Sequence, residues 1–110
     1  RRKRDAGRVT DRAEVFFHPE ADTEYEEAFA WYAERSPEIA VRFEQEVEAA
    51  VTSIVNASTR WPLYDEVHRK VLLPRFPYLV IYREHESRVA IVAIAHGHRH
   101  PGYWKGRTIP

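Results

Sequence analysis

The stretch HGHRHPGYWKGR, residues 96–107, brings together three imidazoles at alternate positions, two aromatic rings and the cations Arg99, Lys105 and Arg107. Histidine titrates near neutrality and suits proton transfer, metal ligation or phosphate recognition. On extended backbone His96, His98 and His100 would share one face with Ala90, Val92 and Ile94. Neutral imidazoles in such a ladder suit zinc, copper or nickel. Against a metal, the stretch contains no carboxylate, and Arg99 and Pro101 add positive charge and a bend. We therefore assign no metal and no cofactor. The remaining chemistry faces phosphate. Metal-free cleavage of RNA needs a base for the 2′-OH, an acid for the leaving oxygen and cations around the phosphorane. His98 is the candidate for proton transfer. Arg69, Arg75 and Arg99 supply positive charge in a fork that grips phosphate, and Tyr103 or Trp104 can stack on a splayed base. The same groups would serve plain binding to nucleic acid or to an acidic protein, and the histidines would also serve as hydrogen-bonded structural residues. Spacing leaves these readings open.

Other chemistries lack their residues. Gly97 and Gly102 do not have the spacing of a nucleotide-binding fingerprint, and no Gly-x-Ser-x-Gly elbow is present. The absence of cysteine removes thiolate chemistry and disulfides and suits a reducing cytoplasm. No window holds 18 uncharged apolar residues, and the basic start runs into polar sequence, so neither a membrane span nor a signal peptide is expected. The zero net charge hides segregation. Residues 1–12 carry six bases against two acids, 13–59 two against eleven, and 60–110 nine against four, with five of the six histidines in that last part. Such a chain has an electrostatic front and back. Aromatic residues Tyr78, Tyr82, Tyr103 and Trp104 interleave with the bases of the basic half, as in a phosphate-binding face.

The elements that must position these residues follow from periodicity. Residues 1–12 have no apolar rhythm and read as a flexible basic arm or a remnant of tagging or trimming. Residues 13–110 form one domain, since 110 residues with 44% hydrophobic content supply a single modest core. AEVFF (13–17) is β-prone, and Pro19 suits the first turn of a helix. Ala21, Tyr25, Ala28 and Tyr32 recur at helical spacing up to Arg35, with Glu20, Glu24, Glu27 and Glu34 on what reads as a solvated face. Ser36-Pro37-Glu38 restarts a helix to about Ala57, with Ala40, Phe43, Val47, Ala50, Val51 and Ile54 as its apolar stripe. The two helices should form an antiparallel hairpin. After a loop (58–66) that tucks Trp61 against the core, VHRKVLL (67–73), YLVIYR (78–83) and RVAIVAIA (88–95) read as strands, the last two a hairpin joined by EHES. The apolar last run predicts a central strand covered on both faces, or one with a partly dry outer face. The expected fold is α+β, in the order β-α-α-β-β-β, with a helical hairpin packed on a small, mainly antiparallel sheet.

HPEADTEYEEAFAWYAERSPEIAVRFEQEV, RWPLY, RKVLLPRFPYLVIYR and VAIVAIAHGHRHPGYW, in this order, resemble the RelE/ParE family of toxins from type II toxin–antitoxin modules, over about residues 14–104. The resemblance implies a cytoplasmic, growth-inhibiting toxin held inactive by a cognate antitoxin that wraps it with an extended or helical segment. Promoter DNA would be reached only through the antitoxin, with no membrane involved. RelE-like members are metal-independent endoribonucleases that cleave mRNA in the ribosomal A site; ParE-like members poison DNA gyrase without a catalytic residue. Carried over residue by residue, the RelE-like pattern makes Arg75, Arg99 and Tyr103 catalytic, with His98 beside them. Arg69 and Lys70 stand where the family's earlier basic positions would be; with His96, His100 and Trp104, which the chemistry of the tail adds, they are the candidate nucleic-acid contacts. The long hairpin leans towards ParE-like members and the basic-aromatic tail towards RelE-like ones. A non-toxic relative that serves only as an antitoxin- and DNA-binding regulator is the remaining alternative.

Overall fold

The structure, a computed structural model, describes residues 14–110; the basic arm at 1–12 lies outside the described residues. The order of elements is β1 (Glu14–Phe17), α1 (Pro19–Arg35), α2 (Pro37–Asn56), β2 (His68–Leu72), β3 (Tyr78–His85) and β4 (Arg88–His96). This is the expected α+β arrangement. The strands form one sheet in the order β1-β4-β3-β2, with β1 parallel to β4 and the other neighbours antiparallel.

Local chemistry explains the element ends. The His18 ring accepts a hydrogen bond from the Glu20 backbone N–H at 3.0 Å and caps α1, which continues with Pro19 at its first position. Ser36 serves both helices: its N–H donates to the Tyr32 carbonyl at 2.7 Å, and its hydroxyl accepts from Ile39 N–H at 3.3 Å. One residue therefore ends α1 and starts α2, which folds the hairpin without a linker. The inward stripes are as expected, with Tyr25, Phe43, Val47 and Ile54 fully buried. Phe43 is the hub of an aromatic cluster, with Tyr25, Tyr32, Phe76 and Tyr78 ring centroids 5.3–5.6 Å away.

β4 is buried on both faces. Val89, Ile91 and Ile94 pack under the helices, while Val92, Ala93 and Ala95 pack with Ile81 and Trp104 on the opposite face. The register explains how residues of both parities reach one face. Ile81 pairs with Ala93 but Tyr82 pairs with Ile91, so Val92 is an extra residue, a β-bulge. The bulge switches the alternation and corrects the sequence reading. Ile94 and His96 leave the face of Ala90 and Val92, and the strand ends at His96. The three histidines do not form a ladder.

The turn joining β3 to β4 is shorter than EHES suggested, because β3 runs on to His85 and leaves only Glu86 and Ser87 between the strands. Glu86 adopts φ 56°, the left-handed region that costs a residue with a Cβ about 1–2 kcal/mol. Glycine enters this region freely but loses more chain entropy on folding. Glu86→Gly should therefore raise stability by about 0.5–1 kcal/mol, read as a higher urea midpoint with an unchanged slope.

Candidate functional site

The site follows from what completes the edge of β4. β1 is short: its last pair is Phe17 with Ile91, followed by His18 N–H donating to Ile91 carbonyl at 2.9 Å. From Val92 onward, β4 needs other partners on that side. Two side chains supply them. Arg107 Nη1 donates to the Val92 carbonyl at 3.0 Å, and Glu24 Oε1 accepts from Ile94 N–H at 2.9 Å. The same two side chains form a bidentate pair, Arg107 Nη1 to Glu24 Oε1 at 3.0 Å and Nη2 to Oε2 at 2.8 Å. Tyr103 Oη donates to Glu24 Oε2 at 2.5 Å. Glu24 thus accepts four hydrogen bonds from strand, phenol and guanidinium. It ties α1 to β4 and to the segment after it.

That segment folds back over the outer face of the sheet. Gly102 takes φ 78°, a conformation natural to glycine, and turns the chain so that Tyr103 and Trp104 point inward. Trp104 is 2% exposed, with Tyr64 at 5.1 Å and His68 at 4.7 Å between ring centroids. Its expected part as a stacking surface for a base is corrected: the indole seals the second apolar cluster. His68, itself buried, holds Asp65 through Nδ1 at 3.0 Å. Burial pushes the Asp65 carboxyl up. The backbone N–H groups of Val67 and His68 and the His68 ring outweigh that and hold it down at about 2.

Of the residues proposed for catalysis, Arg99 and Tyr103 meet, whereas Arg75 does not line their cleft. The Tyr103 hydroxyl is engaged by Glu24; burial, that hydrogen bond and the carboxylate charge push its pKa well above the usual phenol value, against the pull of Arg99 and Arg107. Arg75 lies on the β2–β3 connection, where its Nε faces Glu46 Oε2 at 3.7 Å. Arg69 donates to the Trp61 carbonyl at 2.6 Å and faces Glu84 at 3.6 Å, a structural use in place of a free cation. Lys70 lies 5.6 Å from the Tyr64 ring centroid. His96 Nδ1 accepts from His98 N–H at 3.0 Å, and the rings of His98 and Tyr78 lie against it. His98 and His100 are exposed. Among the described residues, no three metal-ligating side chains converge.

What the structure does bring together is a cleft of about 590 Å³ between α1 and the end of β4, lined by Trp31, Tyr32, Tyr78, His96, Arg99 and Tyr103 together with Glu24 and Glu27. The Arg99 guanidinium lies 3.9 Å over the Tyr103 ring. Sequence reasoning missed Glu24, Arg107 and Trp31. Glu24 was placed on the solvated face of α1, where three of its neighbours do lie, and nothing in a single helix marks one glutamate among several as inward. A second cleft, about 560 Å³, runs between α2 and β2 past Trp61, Val71 and Leu72.

A family described as the ParE toxin of type II toxin–antitoxin system, parDE, matches residues 15–101. The chain belongs to the ParE toxin family. Its fold is also that of a solved structure titled "Chromosomal ParDE TA system from P. aeruginosa", with a TM-score of 0.68 at 16% identity over 79% of this chain and 98% of that one. No curated protein matches. The family match ends at Pro101, so Tyr103, Trp104 and Arg107 lie beyond it. Among the described residues, no helix of this ParE-family chain is long and apolar enough to cross a membrane.

Two predictions follow from the geometry. The Glu24 and Arg107 side chains are 13% and 10% exposed, so Glu24→Ala or Arg107→Ala strands a buried charge and should cost about 3 kcal/mol. The double variant should cost clearly less than the two singles together, as a double-mutant cycle of urea midpoints would show. Asp65 is held below its ordinary 3.8, so its contribution is complete above about pH 4 and is lost as pH falls towards 2. Between pH 4 and 2 the wild type should lose on the order of 2 kcal/mol more than Asp65→Asn, as denaturation at stepped pH would show.

Proposed function

We propose that this chain is a cytoplasmic growth-arresting toxin that poisons DNA gyrase by binding it and is neutralised by a cognate antitoxin. The observation that carries the choice of mechanism is the Tyr103 hydroxyl, which donates to Glu24 and is held neutral there. A phenol used this way is an anchor for the tail and is not available to a reacting phosphate. Burial of Trp104 and the use of Arg69 to join the Trp61 carbonyl to Glu84 support the same reading, because these two groups are employed in holding the fold. Poisoning an enzyme asks only for a stable surface that fits it.

An antitoxin partner is supported by the solved ParDE system, and the cleft beside β2 suits an extended segment. Lys70 N–H donates to the Pro62 carbonyl at 3.1 Å, so residues 62–64 cover the first half of the outer β2 edge. The sheet ends at β2 there, and Leu72, beyond the covered half, is 66% exposed. A strand added at that edge would meet backbone groups and an apolar side chain together.

Induction without antitoxin tests the mechanism. The expected result is accumulation of cleaved DNA–gyrase complexes and an SOS response with intact messenger RNA, matched by loss of supercoiling by purified gyrase. Fragmented, ribosome-associated mRNA with unaffected gyrase would replace this reading with the RelE-like one. Unimpaired growth would favour the non-toxic regulator.

A further inference from the structure

We infer that the cleft between α1 and the end of β4 is a docking site for a protein segment that presents a large apolar or aromatic side chain next to a carboxylate. The inference rests on the proposed mechanism, in which the toxin acts by binding a protein.

The walls supply one half of the argument. Trp31 is 53% exposed at the rim, with its ring edge-to-face on Tyr32 at 5.2 Å and the Arg35 guanidinium 3.6 Å from its centroid. Tyr78 and Tyr103 line the same cleft. Tryptophan, tyrosine and arginine are the residues that anchor protein interfaces, because they bury large area at small entropic cost and carry a polar handle. A cleft of about 590 Å³ accommodates one such side chain from a partner together with its flanking backbone.

Charge supplies the other half. Arg69, Arg75 and Arg107 each lie within 3.7 Å of a glutamate oxygen. Arg99, the arginine that lines this cleft, has no such partner among the described residues; its guanidinium sits 3.9 Å from the Tyr103 ring centroid. Tyr103 is in turn fixed by Glu24, so the cation is held in place before any partner arrives. Preorganisation of this kind lowers the cost of binding, and a planar guanidinium with free donors fits a carboxylate in bidentate fashion. A polynucleotide fits less well. Glu24 and Glu27 line the same cleft, and Glu20 lies one turn before Glu24 on α1. One carboxylate can reach Arg99 past that helix, whereas a run of phosphates meets repulsion along it.

The test uses the full chain, purified gyrase and purified antitoxin. Arg99→Glu and Trp31→Ala should each weaken gyrase binding and inhibition of supercoiling by about tenfold or more. Arg99→Lys should lose less, and thermal unfolding and antitoxin affinity should stay at wild-type values for all three. If wild-type protein binds gyrase and the variants bind it equally well, the docking site is wrong while the mechanism stands. If wild-type protein does not bind gyrase at all, the underlying mechanism fails and the inference with it. Two other outcomes also overturn it: loss of RNA cleavage in the variants would assign the cleft to nucleic acid, and loss of antitoxin affinity with gyrase inhibition intact would assign it to the antitoxin.

Discussion

The carboxylate of Glu24, accepting from Ile94 N–H, Tyr103 and both Arg107 nitrogens, is the interaction on which the remaining structure depends. The physical need behind it is the central strand. β4 buries its side chains on both faces, so every backbone group along it must find a partner away from water. β3 pairs along one edge with Val92 bulged out of register, but on the other edge β1 runs out at Phe17. Past that end the Val92 carbonyl and then the Ile94 N–H are met by something that is not a strand. A glutamate from the helix above and an arginine from the tail below meet them. Because these two also neutralise each other, a charge pair that would be costly alone is placed where it does two jobs.

The tail's position follows from that anchor. Arg107 draws the chain across the sheet, Gly102 permits the turn, and Trp104 fills the space over Ile81, Val92 and Ala93. Tyr103 is left with its hydroxyl inward and its ring face available to Arg99. The cation that sequence reasoning singled out is thus carried on a platform, Tyr103, whose stability derives from a residue 79 positions earlier. The hub connects the apolar core, the outer face and the rim of the cleft, so perturbing Glu24 should propagate to Arg99 without any contact between the two.

The helical hairpin was legible because its information is local: apolar spacing, Ser36 and two prolines fix where helices begin and which side faces inward. The three later strands were legible for a similar reason, since β-branched runs and breakers mark them. The bulge was not. Its extra residue, Val92, is as apolar as its neighbours, and only pairing against β3 reveals that two residues oppose one. For the same reason the three histidines seemed to share a face with Ala90, Val92 and Ile94, an alternation that a single inserted residue breaks.

Sequence alone determined the α+β class, the order of elements, the stripes of the core and the family pattern, because each is written in periodicity or in short motifs. It also singled out Arg99 and Tyr103 as residues of interest. Tertiary structure decided their use. Trp104 became core, Arg69 became a tie, Arg75 faces Glu46 at the surface, the Tyr103 hydroxyl was consumed by Glu24, and Arg99 alone among the proposed arginines was left without a carboxylate among the described residues. Whether a polar side chain works on the fold or on a partner depends on what lies within about 3 Å of it, and those neighbours come from segments far apart in the chain.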